Sequence, residues 1–328
     1  MYNTFHIVYH ILTVPVKGQE GAWSMITEAF PSAGGGKLQV RIWEPARTPV
    51  GVVQLVHGIC EHGGRYDDFA RWLNEKGYLV AAEDHMGHGL SATKVHPLGC
   101  IKGGWKAMTA DVHTLTERLR RKYPTLPFFL LGHSMGSFLA RTCLYTYPDA
   151  GYSGCILSGT AWHPASVLKV GQALTKGEMH RRGEHTPSPS LKNMVFGAYT
   201  KGFRDVKSPN DWVSSVREAV DSYDADPLCG FVPSSGLIFA MLDGLSRNQQ
   251  ADNLAAMPKS LPVFLIAGDK DPVANKGKAV RQTRNAFRKA GLTDVETKLY
   301  HNARHDVLEE FCKDEVWADV LRWMEKRK

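Results

Sequence analysis

An apolar run over residues 128–132 leads without a break into Gly-His-Ser-Met-Gly and then into a helical pattern that begins at Gly136. A buried strand that enters a helix through Gly-x-Ser-x-Gly is typical of a nucleophile elbow, a turn so sharp that its glycines have no room for side chains. The helix N-terminus beneath the serine favours developing negative charge. We therefore predict that Ser134 is a nucleophile at the edge of an α/β sheet.

Short apolar runs alternate with longer amphipathic stretches along most of the chain, which predicts a mainly parallel sheet covered by helices. Several runs are almost continuously apolar, as expected for strands that are buried on both faces. The predicted strands are residues 38–43, 52–57, 79–84, 128–132, 155–158, 263–268 and 295–300. The predicted helices are residues 66–76, 107–122, 136–147, 275–289 and 313–327.

One long interval interrupts this alternation. Between Ser158 and Leu261 the chain has no clear strand–helix unit, although it contains many apolar residues. A stretch of this length inside a compact domain is either a substructure or a functional lid. We predict a helical cap over residues 159–249, inserted into a core formed by residues 25–158 and 250–328. Its apolar residues are expected to serve packing more often than ligand contact.

Residues 1–24 precede the first predicted element and form an N-terminal extension of uncertain role. Their apolar stretch, residues 5–16, is too short to span a bilayer. It also lacks the basic region and the cleavage site of a signal peptide. An interfacial anchor is an alternative, but we expect the fold to begin near Met25 without it.

Composition and charge exclude several classes of protein. With 43% hydrophobic and 22% charged residues, the chain is ordinary for a soluble globular protein. The net charge is +7, but no Lys/Arg block is interleaved with aromatic residues, so we expect no nucleic-acid partner. The six cysteines include no Cys-x-x-Cys pair, which fits reduced thiols in a cytoplasmic protein. The histidines match no standard zinc spacing, so we predict no metal.

A serine hydroxyl needs a base and an orienting carboxylate to act as a nucleophile, and after an elbow they follow in the order carboxylate, histidine. Asp269 and Asp271 follow the next-to-last predicted strand, and His301 and His305 follow the last one. The carboxyl ends of parallel strands meet at one edge of the sheet. We favour Asp271 over Asp269, and we favour His305 over His301 because His301 lies too close to its strand.

An oxyanion hole is the third requirement of this chemistry. It uses backbone N–H groups, one from the residue after the nucleophile and one from an early strand–helix loop. Met135 follows the predicted nucleophile, and the strand over residues 52–57 leads into a glycine-rich loop that contains Ile59. We predict that the amides of Met135 and Ile59 form the oxyanion hole.

Several motifs occur in an order that resembles the monoacylglycerol lipases and the related bacterial lysophospholipase-like hydrolases. The motifs are His57-Gly-x-x-Glu-His-x-Gly-Arg-Tyr66, Asp84-x-x-Gly-His-Gly-x-Ser91, Gly132-His-Ser-Met-Gly136, Gly268-Asp-Lys-Asp271 and His305. The resemblance runs from about Met25 to the C-terminus and is weak only in the cap. It implies an α/β-hydrolase fold with a mainly parallel eight-stranded sheet flanked by helices, an inserted apolar cap over an acyl tunnel, and no cofactor.

The resemblance also implies that Glu61 and Arg65 help to orient the polar head group of the substrate. Two positions depart from the family pattern. Cys60 stands where glycine is usual, and Leu308 stands where the mammalian lipases carry a further histidine that contacts glycerol. Both departures leave the serine, aspartate and histidine intact, but they weaken the implication of glycerol recognition.

The resulting prediction is a cytoplasmic serine hydrolase of single-chain lipid esters, with monoacylglycerol as the favoured substrate. The partner is a small lipid ester, and the cap is expected to make transient contact with a membrane surface. A lysophospholipase and a general esterase of short or aromatic acids are close alternatives, because the same three residues serve all of them. A serine peptidase and a non-catalytic binding protein are remote ones. Oligomeric state is not predicted.

Overall fold

A computed structural model describes residues 23–328 of the chain, which form an eight-stranded sheet in the order β1-β2-β4-β3-β5-β6-β7-β8. The strands are β1 (Trp23–Pro31), β2 (Lys37–Pro45), β3 (Gly51–Val56), β4 (Tyr78–Glu83), β5 (Phe128–His133), β6 (Gly154–Ser158), β7 (Val263–Gly268) and β8 (Val295–Tyr300). The predictions for residues 1–22 lie outside the described residues. Trp23 and Ser24, which the sequence placed in the extension, belong to β1.

The sheet is mainly parallel, as predicted. Strand β2 runs antiparallel to both of its neighbours, β1 and β4, and the other pairings are parallel. The seven predicted strands are β2–β8, and β1 was missed. Within residues 23–328, β1 pairs with β2 alone and forms one edge of the sheet.

The order of the strands creates a crevice for a site. After β3 the chain moves to β4 on one side, and it then returns to β5 on the other side of β3. Open α/β sheets bind ligands where the strand order reverses in this way, at the carboxyl ends of the strands. Because Val56 pairs with Gly132, the loop after β3 and the turn after β5 leave the sheet side by side.

Helices cover both faces of the sheet. They are α1 (Asp67–Glu75), α2 (Gly104–Lys122), α3 (Met135–Thr146), α4 (Ala165–Arg182), α5 (Pro189–Phe196), α6 (Arg217–Ala225), α7 (Ser235–Arg247), α8 (Ala251–Ala256), α9 (Lys278–Lys289) and α10 (Lys313–Glu325). Alternate side chains of β5 face opposite layers: Leu130 packs with α2, α3 and α9, whereas Phe129 and Leu131 pack with α1 and α10. This double burial explains why the sequence of β5 is continuously apolar.

Helices α4–α7 lie between β6 and α8, and we infer that they form the cap over residues 159–249. Helix α4 packs on α7, which in turn contacts α2 and α3 of the core. The approach of α7 to α2 requires Gly244, because a Cβ there would lie 2.0 Å from the Trp105 ring. Within residues 23–328, every helix is too short or too polar to cross a membrane.

Candidate active site

Ser134 occupies a strained turn between β5 and α3. Its φ of 52° and ψ of −122° are a conformation that non-glycine residues rarely adopt. The glycines on either side make the turn possible: a Cβ on Gly132 would lie 2.4 Å from the Gly136 carbonyl oxygen, and one on Gly136 would lie 1.9 Å from the Val56 carbonyl oxygen. The Gly-x-Ser-x-Gly spacing is thus a steric requirement of a helix that starts directly against β3.

The loop that contains Ile59 lies beside this turn. A Cβ on Gly58 would approach the Ser134 Cβ to 3.1 Å, so the two backbones are in contact. The Gly58 amide donates to the Glu61 carboxylate, and the Gly58 carbonyl oxygen lies 2.8 Å from His57 Nδ1. Because a peptide is planar and trans, holding the Gly58 carbonyl also sets the direction of the Ile59 N–H. We infer that this N–H serves the oxyanion hole together with that of Met135.

Segments of the cap hold the next residue of the loop. The Cys60 carbonyl oxygen accepts hydrogen bonds from the Gly230 amide and from the Tyr223 hydroxyl, both at 2.9 Å. Cys60 has a φ of 57°, the left-handed conformation that glycine adopts without strain, which gives a physical reason for the glycine usual in the family the sequence resembles. The oxyanion loop is therefore fixed from both the core and the cap.

His305 and Asp271 meet at the same edge of the sheet. His305 Nδ1 lies 3.0 Å from Asp271 Oδ1, and that carboxylate also accepts from the Val273 amide at 2.8 Å. The side chains are 2% and 0% exposed. The alternatives, Asp269 and His301, pair with each other at 2.8 Å, and His301 is exposed there.

Burial and charge act in opposite directions on His305. Burial by itself lowers its pKa, but the adjacent Asp271 carboxylate, together with the carboxylates of Asp306 and Glu61, outweighs burial, so that the pKa of His305 is raised above 6.5. A carboxylate in this position also fixes the imidazole orientation and stabilises the imidazolium. The pair can act as a general base oriented by an acid, and the assignment of these roles remains our proposal.

Glu61 and Arg65 form a buried hub under the oxyanion loop. Glu61 accepts from the Gly58 amide, the Tyr66 hydroxyl and the Arg65 guanidinium, which also pairs with Asp306 at 3.0 Å. Burial opposes ionisation of Glu61, but Arg65 and the other partners of the carboxylate together outweigh burial and lower the pKa of Glu61 to about 2. Both charges thus have protein partners, and contact with a substrate head group stays a prediction.

A small apolar cavity of about 60 Å³ opens on Ser134. Its walls come from the oxyanion loop, α3, the cap and the loop after β7. Besides Ser134 and Ile59 the lining residues are Phe138, Ala161, His163, Val195, Phe196, Tyr199, Trp212, Met241, Leu242, Leu245 and Val273. The sequence predicts packing roles for apolar residues of the cap, but Phe196 and Trp212 lie on the cavity beside Ser134. Apolar composition alone does not show which face of a cap is turned inward.

A second polar cluster joins the oxyanion loop to the cap. His62, Asp226 and Cys229 each bring one side-chain atom that could bind a metal ion, and these atoms lie within 4.8 Å of one another. His62 Nδ1 accepts from the Gly64 amide at 3.1 Å, so the ring proton sits on Nε2 and is donated to Asp226 Oδ2 at 2.8 Å. We therefore interpret this cluster as a hydrogen-bonded contact between cap and core.

Comparisons with known proteins identify chains that are similar to this one. The model of the family Hydrolase_4, described as serine aminopeptidase S33, matches residues 47–311. A monoacylglycerol lipase of Mycolicibacterium smegmatis is 32% identical over 303 residues, which cover 90% of this chain and 95% of the relative. Mouse monoglyceride lipase is 28% identical over 306 residues, covering 90% and 89%. Among solved structures, a thermostable carboxyl esterase from Bacillus coagulans in complex with glycerol superposes with a TM-score of 0.85 at 32% identity, covering 92% of this chain and 98% of the esterase.

Proposed function

The chain belongs to the Hydrolase_4 family of α/β-hydrolases, and from this premise we propose that it hydrolyses monoacylglycerol to fatty acid and glycerol. Relatives named monoacylglycerol lipase and carboxyl esterase identify a carboxylic ester hydrolase. The observation that carries the choice of substrate is the apolar cavity directly on Ser134, because an acyl chain is the part of an ester that such walls accommodate.

The proposed reaction uses the residues assembled at the sheet edge. His305, oriented by Asp271, removes the proton from the Ser134 hydroxyl as its oxygen attacks the ester carbonyl. The amides of Ile59 and Met135 stabilise the oxyanion of the tetrahedral intermediate. His305 then donates its proton to the departing alcohol, which leaves an acyl-enzyme. Water, activated by the same histidine, releases the fatty acid.

Two rival substrates are less well served by the site. A peptidase that recognises a free α-amino group needs an anionic anchor, and the residues lining the cavity include no aspartate or glutamate. A lysophospholipid carries a phosphate, and Arg65, which the sequence predicted at the head group, is already engaged by Glu61 and Asp306. A neutral head group is therefore the better match.

The cap supplies a surface for contact with lipid. Val167, Val170 and Leu174 are each more than half exposed on α4, and their spacing places them on one face of the helix. Met194 on α5 is exposed as well. We propose that this face touches a membrane transiently in a peripheral, cytoplasmic enzyme, and that the net charge of +7 assists contact with anionic lipid.

The decisive experiment measures fatty-acid release from monoacylglycerols of several chain lengths and from lysophospholipids with the same acyl chains. We expect faster cleavage of the glycerides, and a loss of at least about 10⁴-fold in kcat for Ser134→Ala. Preference for lysophospholipids would replace the proposed substrate, and cleavage of neither lipid would refute the lipase function. Short esters and aminoacyl amides complete the panel.

A further inference from the structure

Trp212 lies on the catalytic histidine. It belongs to the cap, between α5 and α6, and is 8% exposed. Its ring centroid is 5.1 Å from that of His305, with the planes inclined by 42°. The same side chain lines the cavity that opens on Ser134. Trp212 thus borders both the nucleophile and the base.

Hydrogen bonds from Arg304 and Asp306, the two neighbours of His305 in the chain, hold Trp212 against the histidine. Arg304 donates to the carbonyl oxygens of Asp211 and, at 3.1 Å, Ser214. The Asp306 amide donates to the Val213 carbonyl oxygen at 2.8 Å. The segment around Trp212 is therefore hydrogen-bonded to the segment around His305. These bonds hold the two rings in a fixed relative position.

Neighbouring rings of the cap support the indole from its other sides. Phe196 stacks on Trp212 with centroids 5.9 Å apart and planes inclined by 10°, and Tyr199 meets it edge-on at 5.1 Å. A ring packed on three sides has little freedom to turn. The direction of its single polar group is therefore set before substrate binds.

That polar group has no partner. Trp212 Nε1 is buried and makes no hydrogen bond within residues 23–328. Buried donors without an acceptor are rare in native proteins and call for an explanation. Trp323 Nε1 is also buried without a partner, but its ring lies in the core against Phe129 and Phe264. Among the indoles of residues 23–328, that of Trp212 alone combines this property with a place beside Ser134 and His305.

The chemistry of the reaction indicates which acceptor arrives there. The protonated imidazole of His305 delivers its proton to the departing alcohol, so that alcohol must lie next to the histidine. An acyl chain offers no oxygen acceptor beyond its carbonyl, which the oxyanion hole binds. The hydroxyl oxygens of a polyol alcohol are the acceptors that remain for a donor at His305.

We propose that Trp212 is a specificity-determining residue whose indole N–H donates to a hydroxyl oxygen of the departing polyol. This rests on the proposed hydrolysis of monoacylglycerol, and it names the group that distinguishes glycerol esters from esters of simple alcohols.

The test compares Trp212→Phe, which removes the N–H and keeps an aromatic ring on His305, with Trp323→Phe, which makes the same change far from the site. The substrates are a monoacylglycerol and the ethyl ester of the same fatty acid, whose leaving alcohol has no further hydroxyl. We expect Trp212→Phe to lower the glyceride-to-ethyl-ester ratio of kcat/KM about five- to tenfold, the effect of one hydrogen bond. Trp323→Phe should leave that ratio unchanged.

The substrate provides a second route if Trp212→Phe folds poorly. For the wild-type protein we expect kcat/KM to fall when the hydroxyls of glycerol are removed one at a time, as in esters of the propanediols, with the largest step at one hydroxyl. The role of Trp212 would be overturned by an unchanged ratio in Trp212→Phe, or by a wild type that does not discriminate among these alcohols. Either result would leave the proposed hydrolysis of monoacylglycerol standing. Cleavage of the ethyl ester without any cleavage of glyceride would overturn the proposed function itself.

Discussion

The core loops around Ser134 and the outer helices of the cap differ in how their side chains are buried and bonded. At the sheet edge, Asp271, His305 and Glu61 are almost fully buried and are held by specific polar partners. On α4, by contrast, Val167, Val170 and Leu174 project into solvent. The groups that we propose to carry the reaction are therefore preorganised in a water-poor setting, where electrostatic interactions are strong, while the cap retains apolar surface for contact with lipid.

The largest effect is expected from removing the charge that orients the base. Asp271→Asn should lower kcat about 10⁴-fold, because the imidazole loses both its orientation and the stabilisation of its charged form. The pH profile of kcat/KM supplies a second readout. The activity of the wild type should rise as pH increases through the raised pKa of His305, with a midpoint above 6.5. In Asp271→Asn the largest raising contribution is lost while the lowering by burial remains, so the midpoint should move to lower pH.

Asp269→Asn is the matched control for that substitution, since Asp269 lies two residues away and pairs with the exposed His301. It should retain the wild-type kcat and midpoint. If the two variants lost activity equally, the choice between the aspartates would be wrong.

The hub under the oxyanion loop should be the next most sensitive feature. Arg65→Met leaves Glu61 and Asp306 as buried carboxylates without their cation, a change that typically costs about 3–5 kcal/mol of stability. Displacement of the Gly58 peptide should also lower kcat about tenfold or more. Denaturant unfolding and kinetics at saturating substrate measure the two effects.

Arg247→Met provides the comparison for this variant, because Arg247 pairs with Asp243 at 2.7 Å on the surface. Exposed pairs contribute at most about 1 kcal/mol. Equal destabilisation by the two substitutions would show that the buried hub has no special importance.

Substitutions on the exposed face of the cap should have the smallest effect on the rate of hydrolysis itself. They should reduce activity selectively on substrate that is presented in a lipid surface. Replacing Val170 and Leu174 together by aspartate should weaken binding to phosphatidylcholine vesicles that contain monoacylglycerol by about tenfold, because two apolar side chains no longer enter the lipid. Hydrolysis of a dissolved short-chain ester should be unchanged. Co-sedimentation with vesicles and parallel assays on both substrates test this.

Val95→Asp serves as control, since Val95 is an exposed apolar residue that lies outside the cap. Vesicle binding that fell equally in Val95→Asp, or that survived the double substitution on α4, would remove the cap face from the proposal.

Much of the core could be predicted because its signals are local. The strands β3, β5 and β7 are almost continuously apolar in sequence, interrupted by Gln54 in β3 and by the terminal His133 in β5, and they are buried on both faces. The strand β1 was missed because it is an edge strand, packed against one neighbouring strand, so its sequence carries a weaker pattern. Its first residues, Trp23 and Ser24, were assigned to the extension for the same reason.

The sequence by itself determined the elbow at Ser134, since the glycines on either side are demanded by atoms within a few residues and by the strand next to them. It also narrowed the acid and base to two candidates each. Only the tertiary structure decided that Asp271 and His305 meet, that Glu61 holds the Gly58 amide, and that Trp212 lies on the histidine. Backbone sterics and the periodicity of burial act between near neighbours in the chain, whereas these contacts join distant segments, and the packing of the whole molecule sets which of them touch.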